Sequence, residues 1–173
     1  MSEKSKPWFS QRTRNILGAV LLVLVLIGAG FTIRNGMRRA AAEAKAEAAA
    51  VELVARVAQA DASNVLLRRH PEQYADDLTS QLLALLRQEQ ECYQAFYDEG
   101  QIAMSVLETS APVTEDADVG EGKALYRIEM TVDLRAHPTK APGKYAAHTS
   151  ILLHRDGDAW KVSQLMTILD ASE

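Results

Sequence analysis

An uninterrupted apolar run, Ile16 to Ile33 (ILGAVLLVLVLIGAGFTI), contains neither a charge nor a proline. As a helix its eighteen residues rise about 27 Å, close to the ~30 Å hydrocarbon core of a bilayer. Trp8 and Phe9 precede it at the depth of an aromatic belt, and Arg34, Arg38 and Arg39 follow. A cleaved signal peptide has a shorter apolar region, about 7–15 residues, ending in small residues. Here the run ends in Phe31, Thr32, Ile33 and Arg34. An uncleaved, single-pass anchor is therefore expected. Basic residues are balanced across it: Lys4, Lys6, Arg12 and Arg14 before, Arg34, Arg38, Arg39 and Lys45 after. With the free amine on the N-terminal side, the expected topology places the C-terminal domain outside the cytoplasm, at the cell (inner) membrane.

The chain has 173 residues, so a single further domain fits. A formal charge of −4 and the lack of a basic stripe argue against nucleic acid as partner. One cysteine, Cys92, excludes an internal disulfide framework and a cysteine-built zinc site. The expected organisation is a basic tail (1–15), the transmembrane helix (16–33), a helical stalk (34–69) and a globular domain (70–173). The stalk follows from Ala40–Ala50, which is nearly all Ala, Glu and Lys, with a sparse stripe of Val51, Val54, Ala58, Val65 and Leu66 beyond. Pro71 ends it. A second, amphipathic helix is expected from Pro71 to about Tyr97, with a break near Arg87–Glu91, where its stripe thins, and a stop at Gly100. Its stripe is Tyr74, Leu78, Leu82, Leu85, Leu86, Tyr93 and Phe96.

After Gly100 the apolar period becomes two. Between Ala124 and Ala136 the even positions are Tyr126, Ile128, Met130, Val132 and Leu134, while the odd ones are mostly polar. That alternation marks a strand with one buried face. Ile102, Met104 and Val106 begin an earlier strand, and Thr114–Gly122 (TEDADVGEG) is expected to connect the two as a solvated loop. Asp156-Gly157 signals a type I′ hairpin. Its register would pair Leu153 with Trp160, Ile151 with Val162, Thr149 with Gln164, Ala147 with Met166 and Tyr145 with Ile168 on one mostly apolar face. The fold class is thus α+β, with helices packed on about four antiparallel strands.

Chemistry is sparse. His148 and His154 project from one strand face roughly 20 Å apart, too far for one ion, and His137 belongs to a proline-containing turn. His70 precedes Pro71. Asp116, Asp118 and Glu121 do not follow the EF-hand spacing. Cys92 has no neighbouring base and reads as a small core or boundary residue. Nucleophile elbow, phosphate loop, dinucleotide and zinc motifs do not occur. No catalytic, cofactor-binding or metal-binding residue is assigned, and the chain is not expected to be an enzyme.

The anchor, the stalk, the Tyr74–Leu86 helix and a final hairpin reading Asp156-Gly157-Asp158-Ala159-Trp160-Lys161-Val162 together resemble a membrane-anchored nuclear transport factor 2-like domain. The layout is similar to the Mce-associated membrane proteins of actinobacteria and to the periplasmic assembly subunit of type IV secretion systems. The resemblance implies a curved sheet wrapped around helices into a cone, without implying one function. Enzymes of that fold place an Asp and a Tyr inside the cone. Here the inward positions are Tyr126, Ile128, Met130, Val132, Ile151, Trp160 and Val162, and Asp133 falls outside. The candidate apolar lining is Tyr126, Ile128, Met130 and Trp160. The candidate docking face is Arg127, Glu129, Asp133 and Arg135. The expected role is a non-enzymatic accessory or assembly subunit of a larger bacterial envelope complex. Its expected partners are the lipid bilayer, other membrane-complex subunits and a second copy of the chain. The alternative is a tethered module holding a lipid or other apolar ligand in its cone.

Overall fold

The computed structural model describes the backbone of residues 11–118, 122–157 and 159–171, and the side chains of those residues except 11–35, 39, 117 and 118. The chain divides into two compact units, Met1–Lys45 and Ala46–Glu173. Helix α1 (Gln11–Ala62) supplies the first unit and continues into the second. Among the described residues no helix is long and apolar enough to cross a membrane. The expected span, Ile16–Ile33, lies outside the residues whose side chains are described.

In the second unit α1 is not a stalk. Ala50, Val54, Val57, Ala58 and Ala62 are fully buried and Leu53 nearly so, in one cluster with the sheet's apolar face. Residues 46–69, assigned to the stalk for their alanine content and sparse apolar stripe, belong to this unit. Small side chains do not prevent burial. They let a helix backbone come close to its neighbours, so little apolar volume per residue still gives a dense interior.

The continuous helix expected up to Arg69 is interrupted. Asn64 and Val65 both take left-handed backbone conformations, with φ of 53° and 49°, before the short helix α2 (Leu66–Arg69). Asn64 holds the break. Its Oδ1 accepts from the Met104 N–H at 2.6 Å, and its own N–H donates to the Met104 carbonyl at 3.2 Å. Pro71 opens a 3₁₀ turn over Pro71–Tyr74. Helix α3 then runs Ser80–Asp98, capped by Thr79, whose hydroxyl accepts from the Leu82 N–H. The break in the second helical stretch therefore comes at residues 75–79, not near Arg87. Gly100, with φ of 67°, ends α3 as its position suggested.

The strands are β1 (Ala103–Thr109), β2 (Val113–Asp118), β3 (Lys123–Ala136), β4 (Gly143–Asp156) and β5 (Ala159–Ala171). They form an open, five-stranded antiparallel sheet rather than a four-stranded one. Its order is β1-β3-β4-β5, with β2 also on β3. β1 takes the Met130–Ala136 half of β3 and β2 takes the Lys123–Arg127 half, so the two share one edge. The extra strand, β2, occupies the segment expected to be a loop. It is hard to recognise because its described side chains are exposed on both faces, so no alternation betrays it.

β3 alternates as expected: Ala124, Tyr126, Ile128, Met130, Val132 and Leu134 are all buried. The final hairpin does not keep its expected register. Asp156 pairs with Ala159, Arg155 with Trp160 and Leu153 with Val162. A bulge at Ser163 then shifts the pairing once more, to Ile151 with Leu165, Thr149 with Thr167 and Ala147 with Leu169. Beyond the bulge the inward positions of β5 are odd-numbered. Met166 and Ile168, expected inside, are 57% and 48% exposed.

Candidate functional site

The segment order brings the break after α1, α2, α3 and the approach to β1 together around an open groove of about 670 Å³. It is lined by Val65 and Arg68, by Leu85, Gln88, Glu89, Cys92, Tyr93, Phe96 and Tyr97 of α3, and by Ile102. Three of these, Leu85, Tyr93 and Phe96, belong to the apolar stripe of α3. Leu82 and Leu86 of the same helix turn inward and are buried, but Leu85 is 56% and Tyr93 53% exposed. The α3 stripe is too wide for the sheet to cover, and its outer margin is left in the groove. Cys92 is exposed there, not in the core or at its boundary.

Three rings form a cluster along the groove. Tyr93 and Phe96 meet edge to face at 6.5 Å between centroids, as do Phe96 and Tyr97 at 6.0 Å, and Tyr93 lies 6.4 Å from Tyr97. The groove wall also contains strained backbone, since a β-branched residue such as Val65 rarely adopts a left-handed conformation.

The polar end of the groove continues into the interior. Asp61 is 3% exposed, accepting from Arg68 Nε at 2.9 Å and from Thr167 Oγ1 at 2.7 Å. Thr167 in turn meets the fully buried Thr149 at 2.9 Å. Arg68 Nη1 donates to both oxygens of Glu89 at 2.9 Å, and the Tyr97 hydroxyl donates to Glu89 Oε1 at 3.3 Å. This chain ties α1, α2, α3, β4 and β5 together. Two carboxylates share one guanidinium, leaving a formal charge of 1 − 2 = −1. Burial opposes the charge on Arg68, but the Asp61 and Glu89 carboxylates prevail and hold its pKa above the ordinary arginine value. An interior without ionisable groups was expected, and the buried Asp61 overturns that. A carboxylate enters it from a helix rather than from a strand. Its position was readable: Asp61 follows Val57 and Ala58 by four and three residues, on the face that those residues bury.

Burial, and then the Glu89 carboxylate, push the Tyr97 phenol up to about 12. The folded state favours the neutral phenol, so its stabilising contribution is intact below pH ~10, the ordinary tyrosine value, and is lost as pH rises towards 12. Unfolding midpoints measured from pH 9 to 12 are expected to fall over that window, and Tyr97→Phe is expected to remove that part of the fall.

The residues singled out from sequence occupy other places. Tyr126, Ile128 and Met130 are buried in the core cluster, with Trp160 half-buried against it. The Trp160 Nε1 is buried without a hydrogen-bond partner among the described residues. Arg127, Glu129, Asp133 and Arg135 do share the outer face of β3, but their charges are locally matched. Arg127 pairs with Glu115 of β2, Glu129 faces His148 at 3.6 Å, and Arg135 lies 3.3 Å from Asp133. Exposed pairs of this kind contribute little to stability. His148 also approaches Asp170 at 3.8 Å through its other ring nitrogen, so the two acids flank the ring and do not converge on one point.

No family model and no curated protein matches the sequence. Among solved structures the chain is similar to the intermembrane space region of the chloroplast protein ARC6. The TM-score is 0.42 and the identity 11%, over 70% of this chain and 95% of that one.

Proposed function

We propose that this chain is a non-enzymatic, single-pass accessory or assembly subunit of a bacterial envelope complex, tethered through Ile16–Ile33 and working through protein–protein contacts. In this reading it is a relative of the membrane-anchored nuclear transport factor 2-like proteins. The observation that carries the proposal is the contrast between interior and exterior. Ile128, Val132, Ile151 and Val162 are 0% exposed, while Leu85 and Tyr93 stand in an open groove on α3. A packed interior supports a scaffold, and an apolar groove with aromatic anchors is the usual form of a surface for a partner's helix. The buried carboxylate does not favour catalysis, because Asp61 and Glu89 are both engaged by Arg68 and by a hydroxyl. The net negative charge at the Arg68–Glu89 end favours a partner segment with a basic residue at that end.

Mild-detergent extraction followed by native mass measurement tests this. The wild-type chain is expected in a complex larger than itself. Tyr93→Ala should weaken that complex about 30-fold, the ~2 kcal/mol of a buried aromatic anchor, without altering the circular dichroism. A chain that emerges alone and monodisperse overturns the proposal. Co-extracted lipid that Tyr93→Ala releases favours the apolar-ligand reading instead, seated in the groove and not in the cone.

A further inference from the structure

The free edge of the sheet is β5. Its hairpin end is covered: the Val162 N–H donates to the Asp77 carbonyl at 2.8 Å, and the Val162 carbonyl accepts from the Thr79 N–H at 2.9 Å. Val162 therefore turns its backbone groups away from β4. Backbone direction alternates along an antiparallel ladder. With the bulge absorbed, the observed pairing turns Leu165, Thr167 and Leu169 to the same free side. The Leu169 carbonyl accepts there from Lys140 Nζ at 2.8 Å. Among the described residues, no other strand pairs with this stretch. From Val162 to Ala171 there is no proline and no lysine, the residues that commonly blunt an edge.

From this edge we infer that β5 pairs with β5 of a second copy, antiparallel about a two-fold axis at Thr167, joining two sheets into one. The residues themselves select that register. Centred on Thr167, Met166 meets Ile168 of the other copy, Leu165 meets Leu169 and Gln164 meets Asp170. No like charges face each other, and the two exposed apolar side chains cover one another. A centre at Met166 would put Val162 opposite Asp170, and one at Ile168 would put Met166 opposite Asp170. The pairing is isologous, so it closes at a dimer. Lys140 moderates it, because its ammonium already occupies the Leu169 carbonyl.

The test uses the full chain in mild detergent, with Cys92→Ser as background. Met166→Cys and Ile168→Cys variants are oxidised separately and as a mixture. Opposed Cα atoms of such a pair lie ~4.5 Å apart, within disulfide reach, whereas Met166 and its own copy lie about 8 Å apart. The mixture is expected to give roughly tenfold more cross-linked dimer than either variant alone. Equal cross-linking in all three samples, or none, overturns the inference. Sedimentation equilibrium supplies a second reading. Met166→Lys, at an exposed position, should dissociate the dimer with the fold intact, and Lys140→Ala should tighten it. A dimer unaffected by Met166→Lys also overturns the inference.

Discussion

Asp61→Ala is expected to lower the free energy of unfolding by about 3–5 kcal/mol, the usual cost of removing one partner from a buried ion pair. The carboxylate is 3% exposed and is the junction of Arg68 and Thr167. Its loss leaves a guanidinium partly buried with only Glu89 to balance it, and a strand hydroxyl with only Thr149. Urea unfolding followed by far-ultraviolet circular dichroism measures the difference. A loss below about 1 kcal/mol would show that solvent takes over the vacated bonds, and that the network does not hold α1 to β5. Replacing Asp61, Arg68 and Glu89 together by apolar residues of similar volume should cost less than replacing Asp61 alone, because no unpaired charge then remains.

The second large effect concerns the register of the last hairpin. Ile151→Ala is expected to cost about 2–5 kcal/mol, as for a truncated core side chain. Ile151 is fully buried, between Tyr126 on β3 and Leu165 on β5. Measured on the dilute monomer, Ile168→Ala removes comparable atoms from an exposed position and should change stability by less than about 0.5 kcal/mol. The uninterrupted register placed Ile168 on the apolar face with Ile151, and would make both truncations costly. The same unfolding assay on the two variants thus measures the consequence of one inserted residue.

The legible parts of the fold share a physical reason. β3 was readable because its buried face is apolar at every even position from Ala124 to Leu134 and its other face mostly polar, so one periodicity dominates. Gly100 was readable because a positive φ at a helix end selects glycine. The buried end of α1 was not, because alanine and valine serve equally well on a solvated helix and against a sheet. The breaks at Asn64–Val65 and at residues 75–79 are held by tertiary bonds to Met104 and Val162. Local propensity contains neither partner. β2 lay hidden because its described side chains are exposed on both faces, so no buried alternation marks it.

Much the same explains what was readable of the groove. Leu85, Tyr93 and Phe96 stood out as an apolar stripe, but whether a stripe is covered depends on the width of the surface beneath it. The sheet reaches Leu82 and Leu86 and leaves Leu85 outside. Asp61 is less legible, because the family resemblance leads one to expect an interior acid on a strand and this one enters from the helix that lies against the sheet.

The bulge at Ser163 also divides the mutational grammar of a single strand. Up to Val162, even numbers face the packed side, whereas from Leu165 onward odd numbers do. Rules for which replacements the strand accepts therefore invert midway along thirteen residues. Sequences drifting under selection for this fold would display two interleaved hydropathy codes, joined at one serine whose own identity matters less than its being counted.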